Sequence, residues 1–326
     1  MKYFPKSVLG FILLFGITIL GVNFIPTTNA GAVGPDTETL FFVKTKNTGS
    51  GKVELHTATK ASNYKSSDLH TATWFSTADA DNGYWQVVGR DLYFIKVCNT
   101  GSGYLEVHSA TASSGYTSGM HAAYSSYLGG EYVCNKYKQS DSRPITISGS
   151  QNGFPRVFMT TGFSGDKTYA QSASGDRGIN SNNYATTTPF GSQEANDAVG
   201  SNGILATRYN AMTFIKKQAT GTGKIEFFQA SQNNTSVSGT PSSQLVIATP
   251  TFYQLSDAKN GVFSSVDVNG DGRQEVSFVK TKNTDTKSIE VFYTNPSNYQ
   301  QLGLASGTWF SLSDAQNGVF QFGSDS

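Results

Sequence analysis

The chain has 326 residues, a formal net charge of +1 from 24 basic and 23 acidic side chains, and only 14% charged residues. No basic stripe runs along it, which argues against a nucleic-acid partner. Its 34 glycines, among abundant Ser and Thr, suit short strands and tight turns better than helices.

The first element is a leader. Lys2 and Lys6 precede an almost wholly apolar run from Val8 to Ile25, and Ala30-Gly31-Ala32 or Thr28-Asn29-Ala30 fits a small-residue cleavage site. Residues 1–32 therefore read as a secretory signal peptide. The competing reading is an uncleaved anchor, because the run approaches the roughly 18 residues that span a bilayer. Cleavage removes Lys2 and Lys6, so the 24 basic residues become 22 against 23 acidic ones, a net charge of −1. No second stretch is long enough to span, so the mature chain is expected to be secreted and not inserted in a membrane.

From residue 40 onward the sequence repeats. The segment LFFVKTKNTGSG (40–51) alternates apolar and polar residues, turns at Gly-Ser-Gly, and alternates again through Val53–His56. Such a pattern is a β-hairpin signal. A second block, TWFSTADADNGYW (73–85), follows it. The hairpin returns as LYFIKVCNTGSG (92–103), in divergent form around Val157–Gly165, as TFIKKQATGTG (213–223) and as SFVKTKNTD (277–285). The second block returns weakly around Phe190 and Asp197, then clearly as TFYQLSDAKNGVF (251–263) and TWFSLSDAQNGVF (308–320). The shared phenylalanines Phe42, Phe94, Phe158, Phe214 and Phe278 are 52, 64, 56 and 64 residues apart. One period holds about four short strands, the content of a propeller blade.

Residues 33–326 are thus expected to form a single all-β domain: a five-bladed β-propeller of four-stranded antiparallel blades, the third the most divergent. The repeats begin at a second strand and stop after Phe322, one strand into a further repeat. Together the N- and C-terminal strands would complete one blade and close the ring, removing its open edge.

The repeat accounts for many charges. Lys44, Lys96, Lys216 and Lys280 each precede a glutamate (Glu54, Glu106, Glu226, Glu290) by ten residues. That offset can set each pair opposite across its hairpin. The third copy has Thr160 and Ala170 there instead. Cys98 and Cys134, an even pair in an exported chain, are expected to form a disulfide. The four histidines, His56, His70, His108 and His121, show no metal-ligand spacing.

DVNGDGRQE (267–275) is the sharpest chemical motif. Asp267, Asn269 and Asp271 offer side-chain oxygens at alternate positions, Arg273 its carbonyl and Glu275 a closing carboxylate, a set suited to Ca2+. The alternative is a plain Asn-Gly/Asp-Gly turn. A strand rather than a helix follows, which argues against an EF-hand. With this loop and the Lys-Thr-Lys-Asn-Thr hairpin, the chain resembles FG-GAP or VCBS-type propeller repeats, a group that includes lectins and adhesive ectodomains. The resemblance implies binding without naming a ligand.

The expected function is non-catalytic carbohydrate binding, with a glycan or cell-surface glycoconjugate as partner. Candidate sugar stackers are Trp74, Trp309 and the equivalent Phe252, with Tyr84 and Trp85 second; the alternative is that these rings pack blade against blade. Two other functions remain: a surface adhesion or protein-docking module, and a five-bladed glycoside hydrolase. A hydrolase needs carboxylates free of structural partners, and Asp166, Asp176, Glu194 and Asp197, in the divergent third blade, are among the few non-repeated ones.

Overall fold

The computed structural model describes residues 38–129, 134, 145–151, 154–164, 167–174, 184–187, 205–208, 211–232, 243–268 and 273–323. The leader, residues 1–32, lies outside them, as do Asp166, Asp176, Phe190, Glu194, Asp197, Asn269 and Asp271. Among the described residues the helical elements, Cys134 apart, are short 3-10 turns, and no helix is long and apolar enough to cross a membrane.

The protein is an all-β propeller of four-stranded antiparallel sheets. β1 (Thr39–Lys44), β2 (Lys52–Thr59) and β3 (Leu69–Ser76) make up three strands of the first sheet. β4 (Gly83–Val88), β5 (Asp91–Lys96), β6 (Tyr104–Ala110) and β7 (His121–Gly129) form the next in chain order. Then come β8 (Ile145–Gln151), β9 (Phe154–Ser164), β10 (Lys167–Ser174) and β11 (Tyr184–Thr187). β12 (Leu205–Arg208), β13 (Ala211–Lys216), β14 (Lys224–Gln232) and β15 (Ser243–Gln254) follow. β16 (Gly261–Val266), β17 (Glu275–Lys280), β18 (Ser288–Asn295) and β19 (Asn298–Ser311) form the last. The terminal strand β20 (Gly318–Phe322) returns to pair antiparallel with β1, giving the order β20-β1-β2-β3. Packed side chains are described for four blades, one fewer than the repeat count; for β8–β11 the description is almost wholly backbone pairing.

Each blade repeats one row of residues across its strands. The register aligns Phe320, Phe42, His56 and His70 in one sheet, and Trp85, Phe94, His108 and His121 in the next. Leu205, Phe214, Phe228 and Ala248 hold the same places in the third row, and Phe263, Phe278, Phe292 and Ala305 in the fourth. The innermost ring stacks on the shared phenylalanine in three blades, with centroids 4.4 Å apart for Phe320–Phe42, 4.4 Å for Trp85–Phe94 and 4.3 Å for Phe263–Phe278. Phe310, Phe75 and Tyr253 meet these pairs edge-on. Offset stacks and T-shaped contacts are the favoured aromatic geometries, so the repeat's aromatics encode the joints between blades. Tight cores form between β1–β3 and β4–β6, and likewise between β16–β19 and β1–β2.

The Asn-Gly pair ending the second block has a steric cause. A Cβ on Gly83, Gly261 or Gly318 would overlap the carbonyl oxygen of Ile95, Val279 or Val43 on the neighbouring strand. The preceding asparagine carbonyls accept two backbone N–H groups each: Asn82 from Val97 and Cys98, Asn260 from Thr281 and Lys282, Asn317 from Thr45 and Lys46. The C-terminal Asn317 thus grips the N-terminal hairpin just as the internal copies grip theirs.

The four Lys–Glu pairs stand opposite one another as their spacing predicts, and so do Thr160 and Ala170. Their ion pairing is less uniform. Lys44 and Lys280 lie 4.0 and 3.7 Å from Glu54 and Glu290, whereas Lys96 turns to Asp79 at 3.2 Å. The glutamates have a second partner: each Oε1 accepts the backbone N–H of its own turn, from Ser50, Ser102, Thr222 and Thr286. Cys98 and Cys134 are disulfide-bonded, with Cα atoms 4.9 Å apart.

Candidate functional site

The four histidines, which show no ligand spacing in the sequence, come together in two equivalent clusters, correcting that expectation. β2 carries Glu54 and His56 on one face, two residues apart, and the antiparallel register sets His70 of β3 opposite His56. β6 and β7 repeat this with Glu106, His108 and His121. The imidazoles stack, with centroids 4.3 Å apart for His56–His70 and 4.5 Å for His108–His121. In each cluster both Nε2 atoms face the same glutamate Oε2. His56 and His70 lie 3.4 and 3.7 Å from Glu54, and His108 and His121 lie 3.3 and 3.8 Å from Glu106.

Of the inner members His56, Glu54 and Glu106 are buried and His108 half-buried, whereas the outer histidines open to solvent, with side chains 63% exposed for His70 and 45% for His121. Burial, reinforced by the neighbouring His70, lowers the pKa of His56 to about 4, against the opposing pull of Glu54. His108 is lowered for the same reasons, burial first and then His121. Burial alone would raise the glutamates. Hydrogen bonds from Ser50, with the charge of Lys44, outweigh it at Glu54, and those from Ser102 and His108 outweigh it at Glu106, so both carboxyls end below their ordinary value. At neutral pH each cluster therefore presents neutral inner imidazoles to a carboxylate.

Each cluster lies beside a tryptophan of the preceding blade. Trp309 of β19 stands 6.3 Å from His56 and Trp74 of β3 stands 6.2 Å from His108, centroid to centroid. Both indoles are 37% exposed. Their inner faces lie on Phe310 and Phe75 at 4.2 and 4.4 Å, and Trp74 Nε1–H donates to the Ser109 carbonyl. Trp74 and Trp309 are thus blade joints that keep part of each indole open to solvent. Phe252 occupies the same position against Tyr253, and Phe292 packs on that same core in the place that His56 holds elsewhere. Trp85 is different: it is buried between Phe75 and Phe94 with its Nε1–H bonded to Ala80, so no ligand reaches its face. Tyr84 is partly buried against the core that β4 shares with β5 and β6.

At the acidic loop, Asp267 and Glu275 are both buried, and Glu275 Oε2 accepts the Val268 N–H at 2.7 Å. Arg273 is exposed and donates to Ser297 Oγ. Two buried carboxylates bracketing a Gly-rich loop are a donor set that fits a hard cation. No family model matches the chain, and no curated protein matches it.

The histidine clusters left a trace in the sequence that spacing rules for a single motif do not detect. Glu-Leu-His and Glu-Val-His recur at 54–56 and 106–108, and His-Thr-Ala and His-Ala-Ala lie at the start of the following strands, from 70 and 121. Aligning the repeats would have exposed the pairing.

Proposed function

We propose that the protein is a secreted, non-catalytic, carbohydrate-binding propeller of the FG-GAP/VCBS type, its five sheets closed into a ring by β20. Support for the ring comes from the inner strands β20, β4, β8, β12 and β16, which neighbour one another in cyclic succession. Gln321 bonds both backbone groups of Val87, and Gln86 both groups of Ile147, stitching successive inner strands together. The disulfide is consistent with export to an oxidising compartment. Ca2+ at Asp267, Asn269, Asp271, Arg273 and Glu275 would be structural, tying the β16–β17 connection.

One observation carries the functional reading: two equivalent groupings at blade joints, each setting a part-exposed tryptophan beside a stacked histidine pair and a carboxylate. The indole face suits the C–H face of a pyranose, while imidazole N–H and carboxylate groups suit its hydroxyls. Two similar sites on one rigid body gain from multivalent display, because the second contact is intramolecular. Glycan-array binding by the wild type, lost in the Trp74→Ala/Trp309→Ala double variant while its circular dichroism is unchanged, is the expected result. A folded wild type that binds no glycan on a multivalent array overturns the reading, and so does release of reducing sugar from a polysaccharide.

A further inference from the structure

We infer that the two Glu–His–His clusters, Glu54/His56/His70 and Glu106/His108/His121, are transition-metal sites that take Zn2+. In each, one ligand atom from every residue lies within 4.8 Å of the others. Zinc bound tetrahedrally at about 2.0–2.1 Å from N and O requires ligand atoms about 3.3–3.4 Å apart. The inner histidines already stand 3.4 and 3.3 Å from the carboxylate oxygen, and the outer ones 3.7 and 3.8 Å. Zinc binding therefore requires the exposed outer ring to turn towards the carboxylate oxygen and the inner imidazole.

Three further observations favour a metal over a purely structural role. First, His56 has both ring nitrogens buried without a hydrogen bond: its Nε2 is 3.4 Å from Glu54 without the required direction. A buried polar atom left so is costly, and a metal ion bound at Nε2 would satisfy that nitrogen. Second, blade packing does not need the histidines. Two other rows keep the glutamates, Glu226 and Glu290, but place Phe228/Ala248 and Phe292/Ala305 where the histidine pairs stand. The glutamate is explained by its turn; the histidines are not. Third, the carboxylate is pre-oriented. Ser50 and Ser102 hold Oε1 of Glu54 and Glu106, leaving Oε2 for the imidazoles, the outer-shell arrangement typical of metal ligands.

Two imidazoles and one carboxylate suit zinc and its first-row neighbours, and lack the six or more oxygens calcium takes. Exposure of the outer histidines leaves the fourth position to solvent, so these are open sites. Lys44 stands 4.0 Å from Glu54 Oε2, whereas Lys96 is drawn away to Asp79, so the Glu106 site should bind more tightly.

The test uses untagged protein stripped of metal by a chelator and titrated with Zn2+ against a chromophoric indicator, in excess Ca2+ to saturate the acidic loop. Two zinc ions per chain are expected, one in His70→Ala, one in His121→Ala and none in the double variant. Both substitutions fall on exposed side chains, so melting of the metal-free variants should match the wild type, and zinc should raise it only where a site remains. No zinc bound at micromolar concentrations, or an unchanged stoichiometry in the double variant, overturns the inference.

Discussion

Acid should weaken this protein through its inner histidines, and His56→Phe should remove much of that weakness. In the fold His56 is buried beside His70, and its pKa falls to about 4 from an ordinary 6.5. Because the folded value lies below the unfolded one, the unfolded chain takes up the proton first. Stability is therefore intact above about pH 6.5 and falls as the pH drops towards 4. At 1.36 kcal/mol per pH unit the fall from 6.5 to about 4 corresponds to about 3 kcal/mol for this residue. Glu54, whose pKa is also lowered, adds loss in the same direction at more acid values. Phenylalanine is the natural replacement, since Phe228 and Phe292 hold the same place in two other blades. Urea unfolding in chelator at pH 7.5 and pH 4.5 measures the effect. The variant should lose less stability between the two pH values than the wild type, by about 2 kcal/mol. An equal loss in both proteins refutes the assignment of acid sensitivity to His56.

The remaining predictions concern the joints and the loop. Gly318→Ala drives a Cβ into the Val43 carbonyl and should destabilise by about 3 kcal/mol or more, the upper end of overpacking costs; a melting point within a degree of wild type would contradict the close approach. Replacing Cys98 and Cys134 with serine opens a loop spanning 36 residues. Loop-closure entropy sets that cost at about 4 kcal/mol, read by denaturant unfolding, and no change would show the bond to be idle. Millimolar Ca2+ should raise the melting temperature of the wild type and leave Asp271→Ala unmoved; a wild-type melt identical in chelator and in calcium removes the loop from the list of metal sites.

The sequence by itself determined the periodic part of this protein. Hairpins at Phe42, Phe94, Phe214 and Phe278, the Lys–Glu registers and the pairing of Phe322's strand with Leu40's follow from alternation and turn chemistry, which are local and repeat. Register follows because a one-residue slip would turn every buried phenylalanine outward. The sequence also paired the two cysteines correctly. What it could not decide is which face each aromatic uses. Trp74 and Trp85 are both tryptophans in one block, yet the fold leaves one part-exposed and buries the other on Phe94. Nor could it bring His56 beside Trp309, at the far end of the chain and in another blade. Those contacts exist because blades pack face to face, and the packing of one blade on the next is a property of the folded protein that no single repeat contains.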